Sequence, residues 1–196
     1  METFRRLANG ANKVFYEQQA MAFDGVAAVT VLPRNRGVGT VDVVIAAQGG
    51  VPDQTLVDAV QDHFDSVREI AVDVEVSAPE TETVDVAVTL TVGAGYDFDA
   101  VAEAVEDALQ GWFTGARLGW PVLRAQLTAL VFAVEGVATC VLTQPAADLA
   151  ADSVTLPQLG HRGEELCSIK GTPPNLIQDI HGEAFAPRYP LAVRIA

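Results

Sequence analysis

The spacing of apolar residues predicts alternating helices and strands in the first part of the chain. Asn12 is expected to cap a helix that continues to about residue 22, since an asparagine side chain accepts a hydrogen bond from the first helical turn. Two valine-rich segments, 26–33 and 40–46, follow this helix and predict two strands, because valine and isoleucine favour extended backbone. The second segment alternates apolar and polar residues, which is typical of a strand with one buried face.

A second amphipathic helix and two further strands are expected next. Asp53 is placed to cap the helix. Its apolar face would consist of Leu56, Val57, Val60, Phe64 and Val67. Residues 72–76 alternate valine with acidic residues and predict a half-exposed strand, and residues 83–92 alternate so regularly that we expect one continuous strand. Glu80 and Glu82 lie between these strands and are interpreted as a solvated linker.

The following part of the chain repeats this organisation. Asp97 or Asp99 is expected to cap a helix that starts near residue 98. Apolar residues at helical spacing predict a further helix over 123–134, and the valine-rich segment 137–143 predicts another strand. Strands followed by amphipathic helices are typical of small α+β units.

The elements predict an α+β fold with two small units in tandem, each a short sheet covered by helices on one face. We expect an N-terminal helix and junction at 1–24, the units at 25–79 and 80–156, and a tail at 157–196. The tail is neutral and holds five of the ten prolines, whereas the residues before it carry the whole net charge of −14. It is interpreted as a partner-binding arm or a disordered segment. Its candidate contact residues are Leu176, Ile177, Phe185 and Tyr189.

The negative charge argues against several classes of function. Nucleic-acid binding needs clustered lysine and arginine, and the chain has 12 of these residues against 26 acidic ones. The same imbalance argues against an anionic membrane surface. The most apolar run, 127–142, is interrupted by Glu135 and is too short to span a bilayer. The N-terminus lacks the apolar core of a signal peptide, and we expect no nucleic-acid partner and no membrane insertion.

The ionisable residues form no catalytic or metal-binding motif. Cys140 and Cys167 are far apart in sequence and are expected to be reduced thiols rather than metal ligands. His63 lies among aspartates on the polar face of its helix and is interpreted as a surface histidine. His161 and His181 lack partner residues at the spacing of a known site. We therefore predict no catalytic residue, no metal and no cofactor, and expect that the protein is not an enzyme.

The segment PRNRGVGTVDVVIA, residues 33–46, places Arg34 and Arg36 beside Gly37 and Gly39 and offers a candidate anion site. A dinucleotide fingerprint has three spaced glycines and leads into a helix, and a phosphate-binding P-loop ends in Gly-Lys-Ser/Thr. Here the lysine is absent and a strand follows, which favours a hairpin turn. Two hypotheses remain: a small soluble ligand-binding domain or enzyme that binds an anion at these arginines, or a turn whose arginines contact a partner's carboxylates.

Two short sequences occur twice. TVDV is found at 40–43 and at 83–86, which is explained equally by an internal repeat or by a composition rich in valine and aspartate. The similarity between FDGVAAV, from residue 23, and VEGVATC, from residue 134, has a physical reason. Glycine adopts the left-handed conformation that closes a helix, after which the chain continues as a strand.

The order of these features resembles the baseplate J-like family of phage and prophage contractile tails, whose members form the wedges of the baseplate. The first matching segment is GANKVFYEQQAMAFDGVAAVTVLPRNRGVGTVDVVI, followed by GVPDQTLVDAVQDHFDSVREIAVDVEVSAPE, with its arginine near the helix end and its final Ala-Pro. TVDVAVTLTV, the Gly-x-Pro-Val segment at 119–122 and VEGVATCVL continue in family order. AADLAADSVTLPQLG resembles the closing hairpin, and the resemblance covers about residues 10–160.

The resemblance implies a structural role rather than an activity. A family member acts through contacts with other baseplate and tail proteins, and self-association into a homo-oligomer is expected. The expected location is the virion tail, after synthesis in the cytoplasm of the bacterial host. A related injection machine would use parts of the same kind, so the two assemblies are not separated. Family members are usually longer, so the chain would correspond to the C-terminal half, with residues 2–6 at the junction.

Overall fold

The computed structural model describes residues 12–160 and 168–172, and within these ranges the chain has an α+β fold, which confirms the predicted fold class. The helices are α1 (Lys13–Met21), α2 (Gln54–Val67), α3 (Phe98–Trp112) and α4 (Arg124–Phe132), with a 3-10 helix at Gly115–Arg117. The strands are β1 (Val26–Pro33), β2 (Thr40–Ala47), β3 (Asp73–Ser77), β4 (Glu80–Val84), β5 (Ala87–Val92), β6 (Val137–Gln144), β7 (Thr155–Leu159) and β8 (Ser168–Thr172). No helix in the described ranges is long and apolar enough to cross a membrane.

Three helices begin where polar side chains cap them. Asn12, Asp53 and Asp97 each accept a hydrogen bond from the backbone N–H three residues later, at 2.9, 2.8 and 3.0 Å. Of the two candidates for α3, Asp97 is therefore the cap and Asp99 lies in the first turn. These bonds satisfy N–H groups that a helix cannot satisfy internally, which fixes the starting points of α1, α2 and α3.

Contacts between residues group the described chain into two compact units. The first contains residues 12–82, 113–121 and 150–158, and the second contains 83–112, 122–149 and the described residues from 159 onward. Two segments from late in the chain thus complete the first unit. The predicted division at residue 79 rests on the order of elements alone and stays a prediction. It does not place these two returning segments in the first unit.

The first unit is built around a sheet in the order β1-β2-β3, in which β2 is antiparallel to β1 and parallel to β3. The apolar cluster between this sheet and helices α1 and α2 contains Tyr16, Ala20, Val31, Val43, Ile45, Val57, Val60, Phe64, Val74 and Val76. On the opposite face, Val44 and Ala46 pack with Leu118 and Leu156 from the two returning segments. Helices cover one face, as predicted, but β2 is buried on both faces.

The second unit contains a sheet in the order β6-β5-β8, in which β5 is antiparallel to β6 and parallel to β8. Helix α4 packs against β6 and against α3. The buried apolar residues of β5, α3 and α4 are Val88, Leu90, Val92, Val101, Ala102, Val105, Leu109, Trp112, Leu127 and Val131. Their spacing, every second residue in the strand and every third or fourth in the helices, is the pattern from which these elements were predicted.

The continuous strand predicted over 83–92 is two strands. β4 ends at Val84 and pairs with β7, and β5 begins at Ala87 and pairs with β6 and β8. Val84 and Val86 are both buried, so the apolar alternation continues through the break although the pairing partner changes. Glu80 and Glu82, interpreted as a linker, are exposed residues of β4.

Among its described residues, the predicted tail contains the end of β7 and the whole of β8. Its boundary near residue 157 falls inside β7, where Pro157 is tolerated because a two-stranded sheet leaves one strand edge unpaired. β8 pairs with β5, so residues 168–172 belong to a sheet. β7 pairs with β4 and does not form the closing hairpin expected from the resemblance. The tail residues proposed as contacts, Leu176, Ile177, Phe185 and Tyr189, lie outside the described residues.

Candidate functional site at the first hairpin

The segment that joins β1 to β2 is a hairpin turn, as predicted. The strands pair antiparallel up to Pro33 opposite Val41. Arg34 has a φ of 62°, and its N–H donates to the carbonyl of Thr40 at 2.8 Å. Gly39 has a φ of 86°, a conformation that glycine adopts without steric cost. The glycines of this motif therefore serve the backbone of the turn, and the chain continues into a strand, so no helix N-terminus is available for a phosphate.

Arg36 lies at the centre of a cluster of ion pairs. Its Nε is 2.6 Å from Oδ1 of Asp42 and 2.9 Å from Oε2 of Glu75. Its Nη1 donates to Oδ2 of Asp73 at 2.6 Å. The second oxygen of Asp42 accepts a hydrogen bond from Nδ2 of Asn35 at 2.7 Å. One guanidinium therefore links the turn to three carboxylates on two strands.

The strand register brings these carboxylates together. β2 and β3 run parallel, with Thr40 opposite Asp73 and Asp42 opposite Glu75. Residues two apart in a strand project from the same face, so all three carboxylates lie on one face of the sheet. The turn before β2 then places Arg36 over that face. This arrangement depends on β3, whose aspartate is 37 residues away from the arginine in sequence.

The electrostatics of the cluster favour a charged arginine and disfavour an added anion. Asp42 is only 8% exposed, and a buried carboxylate is costly unless it is paired. Hydrogen bonds to Asp42 and then to Asp73 raise the pKa of Arg36 above its ordinary value. A phosphate approaching Arg36 would meet three carboxylates that already occupy it. Of the two arginines in the candidate anion site, Arg36 is therefore not available to bind an anion.

Arg34 differs from Arg36. Its side chain is exposed and makes no hydrogen bond or ion pair with the part of the chain that the structure describes. The two arginines are therefore not brought together into one site. Asp42, Asp73 and Glu75, which the sequence analysis did not assign to any site, are the actual partners of the turn. An acidic residue within an otherwise apolar strand, next to two arginines, is the signal that could have identified Asp42.

Other ionisable residues serve internal contacts. His63, predicted to be a surface histidine, is half-buried: its Nε2 lies 2.8 Å from Oε1 of Gln19 and its ring packs edge-on against Phe23. Cys140 is a half-buried thiol that forms no disulfide with another described residue, and its burial raises its pKa. In the described ranges no three His, Cys, Asp or Glu residues are grouped as a metal site would require. Cys167, His161 and His181 lie outside these ranges.

Models of known protein families match the larger part of the chain. The model of the Baseplate J-like central domain matches residues 8–88, and that of the Baseplate J-like protein C-terminal domain matches residues 84–161. A chain in the cryo-EM structure of the anti-feeding prophage (AFP) baseplate, 6-fold symmetrised, is similar with a TM-score of 0.52 and 13% identity. The similarity covers 74% of this chain and 36% of that one, so the chain spans about a third of its length. No curated protein matches the sequence.

The boundary between the two matches coincides with a structural boundary. The matches overlap at 84–88, where the chain leaves β4 and enters β5. The hairpin of β1 and β2, with its Arg36 cluster, lies in the central domain, and the sheet of β5 and β6 lies in the C-terminal domain. The chain belongs to the baseplate J-like family of phage and prophage tail baseplates.

Proposed function

We propose that the protein is a structural subunit of a contractile-tail baseplate, a component of its wedges that acts through protein–protein contacts and catalyses no reaction. The observation that carries this proposal is the ordered succession of the two baseplate J-like domains over residues 8–161. The fold shared with a chain of the AFP baseplate supports it. The use of Arg36, His63 and Asp97 for internal contacts is consistent with a structural role.

The proposal includes the location and the partners. The protein is made in the cytoplasm of the bacterial host, and it is built into the virion tail beside other baseplate proteins. Copies of the chain associate with one another. A baseplate with sixfold symmetry repeats each of its subunits around one axis, and repeated subunits of this kind meet through defined surfaces.

Deletion of the gene from a bacterium that produces the particles tests the proposal. We expect negative-stain electron microscopy to show tails without complete baseplates, and a plasmid copy of the gene to restore them. An empty plasmid is the control. Particles that keep normal baseplates without the gene would contradict the proposed function.

A further inference from the structure

The strand β6 (Val137–Gln144) forms one edge of the three-stranded sheet in the second unit. It pairs with β5 on one side, and no other described strand lies on its second side. An edge strand presents a row of backbone N–H and C=O groups that can pair with a further strand. The position of β6 therefore makes it a candidate site for the addition of a strand.

The other edge strands of the described chain carry features that discourage such pairing. β3, β4 and β8 each contain at least one charged residue, and β1 and β7 each contain a proline. Charges and prolines are two of the means by which sheet edges avoid pairing with another chain. β6 has neither a charge nor a proline among its eight residues. It is therefore the least protected edge in the described part of the chain.

The middle of β6 is regular and partly exposed. Its pairing with β5 keeps one register from Thr139 to Leu142, and the register shifts only outside this segment. One face of the strand lies against α4, where Leu142 is buried and its carbonyl accepts a hydrogen bond from Nη2 of Arg124 at 2.9 Å. On the other face Thr139 is exposed and Val141 is 59% exposed. A partner strand would therefore pair around residues 139–141.

The surroundings of this edge are nearly free of charge, although the chain is strongly acidic. Residues 125–147 form most of α4, all of β6 and the turn between them, and contain one charged residue, Glu135. Charged residues make up 19% of the whole chain. The carboxylate of Glu135 accepts a hydrogen bond from the hydroxyl of Tyr96 at 2.8 Å. Phe132 of α4 is 48% exposed, so the surface beside the edge is also partly apolar.

The absence of charge indicates which partner suits this surface. A basic partner would be attracted to the acidic surfaces of the chain, whereas two copies, each with a net charge of −14, repel one another where such surfaces meet. Copies approach at the lowest electrostatic cost where both are uncharged. In a two-fold contact one surface meets itself, and two identical strands that pair antiparallel satisfy this condition. The edge of β6 therefore fits a second copy of the chain.

We propose that two copies of the chain pair antiparallel through β6, around residues 139–141, so that two three-stranded sheets become one continuous sheet. Backbone N–H and C=O groups of the two edges bond to each other, and the β-branched side chains of Thr139 and Val141 pack across the two-fold axis. A pair of this kind can itself be repeated around a sixfold axis. This inference rests on the proposed function and deepens it, because it names the surface through which copies associate.

Charge substitutions at the edge test the proposal in the purified full chain. Thr139→Glu/Val141→Glu places carboxylates opposite carboxylates in the pair, and Thr139→Lys/Val141→Lys places ammonium groups opposite one another. In light scattering over a concentration series, we expect the wild type to rise towards twice the mass of one chain. Each double variant should keep the mass of one chain. An equal mixture of the two variants should regain the doubled mass, because opposite charges then face each other.

The mixture separates a loss of pairing from a loss of fold, since one misfolded variant would not restore another. Thr81→Glu/Thr83→Glu, at exposed positions of β4, is the matched control for added negative charge and should associate like the wild type. A wild type that keeps the mass of one chain at every concentration would overturn the proposal. So would a mixture that does not associate, or edge variants that still form pairs alone.

Photo-cross-linking in assembled particles separates this inference from the proposed function. Benzoylphenylalanine at Val141 should give a product of two copies of the chain, joined at β6 or α4. The same group at Glu103, on the exposed side of α3, is the control and should not give this product. Cross-links from Val141 to a different protein or within one chain, or none at all while the chain is present, would overturn the pairing alone. Absence of the wild-type chain from particles would instead contradict the proposed function.

Discussion

Arg36 joins three carboxylates that would otherwise repel one another. Asp42 and Glu75 are opposite each other in the β2–β3 register, and Asp73 lies two residues before Glu75 on the same face. Asp42 is buried, so its charge needs the arginine and the hydrogen bond from Asn35. The arginine therefore stabilises the parallel pairing of β2 with β3 as well as the turn.

Replacement of Arg36 should destabilise the fold. Arg36→Ala leaves Asp42 without its charged partner and restores the repulsion between carboxylates, so the melting temperature should fall clearly in thermal unfolding. Arg36→Lys should recover only part of the loss, because an ammonium group lacks the planar fork of donors that reaches several carboxylates at once. Arg34→Ala is the matched control and should unfold like the wild type. Equal effects of Arg34→Ala and Arg36→Ala would contradict the assignment.

Tyr16 offers a second residue-scale test. Its side chain is buried against Phe64, and its hydroxyl has no hydrogen-bond partner among the described residues. Tyr16→Phe should therefore change the free energy of unfolding by less than about 1 kcal/mol, measured by urea denaturation at neutral pH, and should not destabilise the fold. A clear loss of stability in this variant would indicate that the hydroxyl is hydrogen-bonded.

The pKa of Tyr16 also predicts how the stability of the wild type depends on pH, in comparison with the Tyr16→Phe variant. Burial, followed by the charge of Glu69, raises the pKa of the folded protein above the usual 10.0. The unfolded chain releases this proton near pH 10, so the contribution of Tyr16 is complete below that value and declines as the pH rises further. Tyr16→Phe should lose less stability than the wild type as the pH rises above about 10. Parallel declines in both proteins would contradict the burial of this group.

At the residue scale, a contact could be predicted from the sequence when its two partners lie close together along the chain. The caps by Asn12 and Asp53 could be predicted, because each bonds to an N–H three residues away. The partners of Arg36 on β3 could not, because their position depends on the pairing of two strands separated by a helix.

At the scale of elements, the central strand β2 is enclosed by parts that are distant in sequence. Helices α1 and α2 cover the face of Val43, and the segments of Leu118 and Leu156 cover the face of Val44. The 3-10 helix at Gly115–Arg117 approaches the strand so closely that a Cβ atom on Gly115 would overlap the carbonyl oxygen of Ala47. Glycine is therefore required at this point of contact.

Gly115→Ala should displace the 3-10 helix from β2. We expect a loss of about 1–3 kcal/mol in the free energy of unfolding, since the obstacle is backbone rather than a movable side chain. Gly111→Ala is the matched control, because Gly111 lies in α3 with open space around it. Alanine there should leave stability unchanged or raise it by up to about 1 kcal/mol. Denaturant unfolding of both variants checks this, and equal stabilities would contradict the close contact.

Element prediction succeeded where periodicity and turn residues agreed. Gly25 and Gly136 both adopt a positive φ, 97° and 95°, and each leads from a helical segment into a strand. Periodicity alone did not reveal that 83–92 contains two strands, because the apolar alternation is the same on both sides of the break. The repeated TVDV sequence shares this limit: it begins β2 at 40–43, but at 83–86 it spans the break.

At the scale of the whole molecule, the order of elements carried more information than any single motif. The matches to the central and C-terminal baseplate J-like domains span 8–161, close to the range of about 10–160 expected from the resemblance. The sequence did not predict in the same way which segments make up each compact unit. Segments 113–121 and 150–158 join the first unit through tertiary contacts that local sequence does not encode.

Quantitative mass spectrometry of density-gradient-purified particles tests the central claim most directly. If the protein is a structural subunit of the baseplate, it should co-sediment with tail and baseplate proteins in a fixed ratio across the particle peak. Its ratio should persist through washing with high salt, because subunits in a closed assembly remain bound. A protein that stays at the top of the gradient, or whose ratio to the baseplate proteins varies across the peak, would contradict the account.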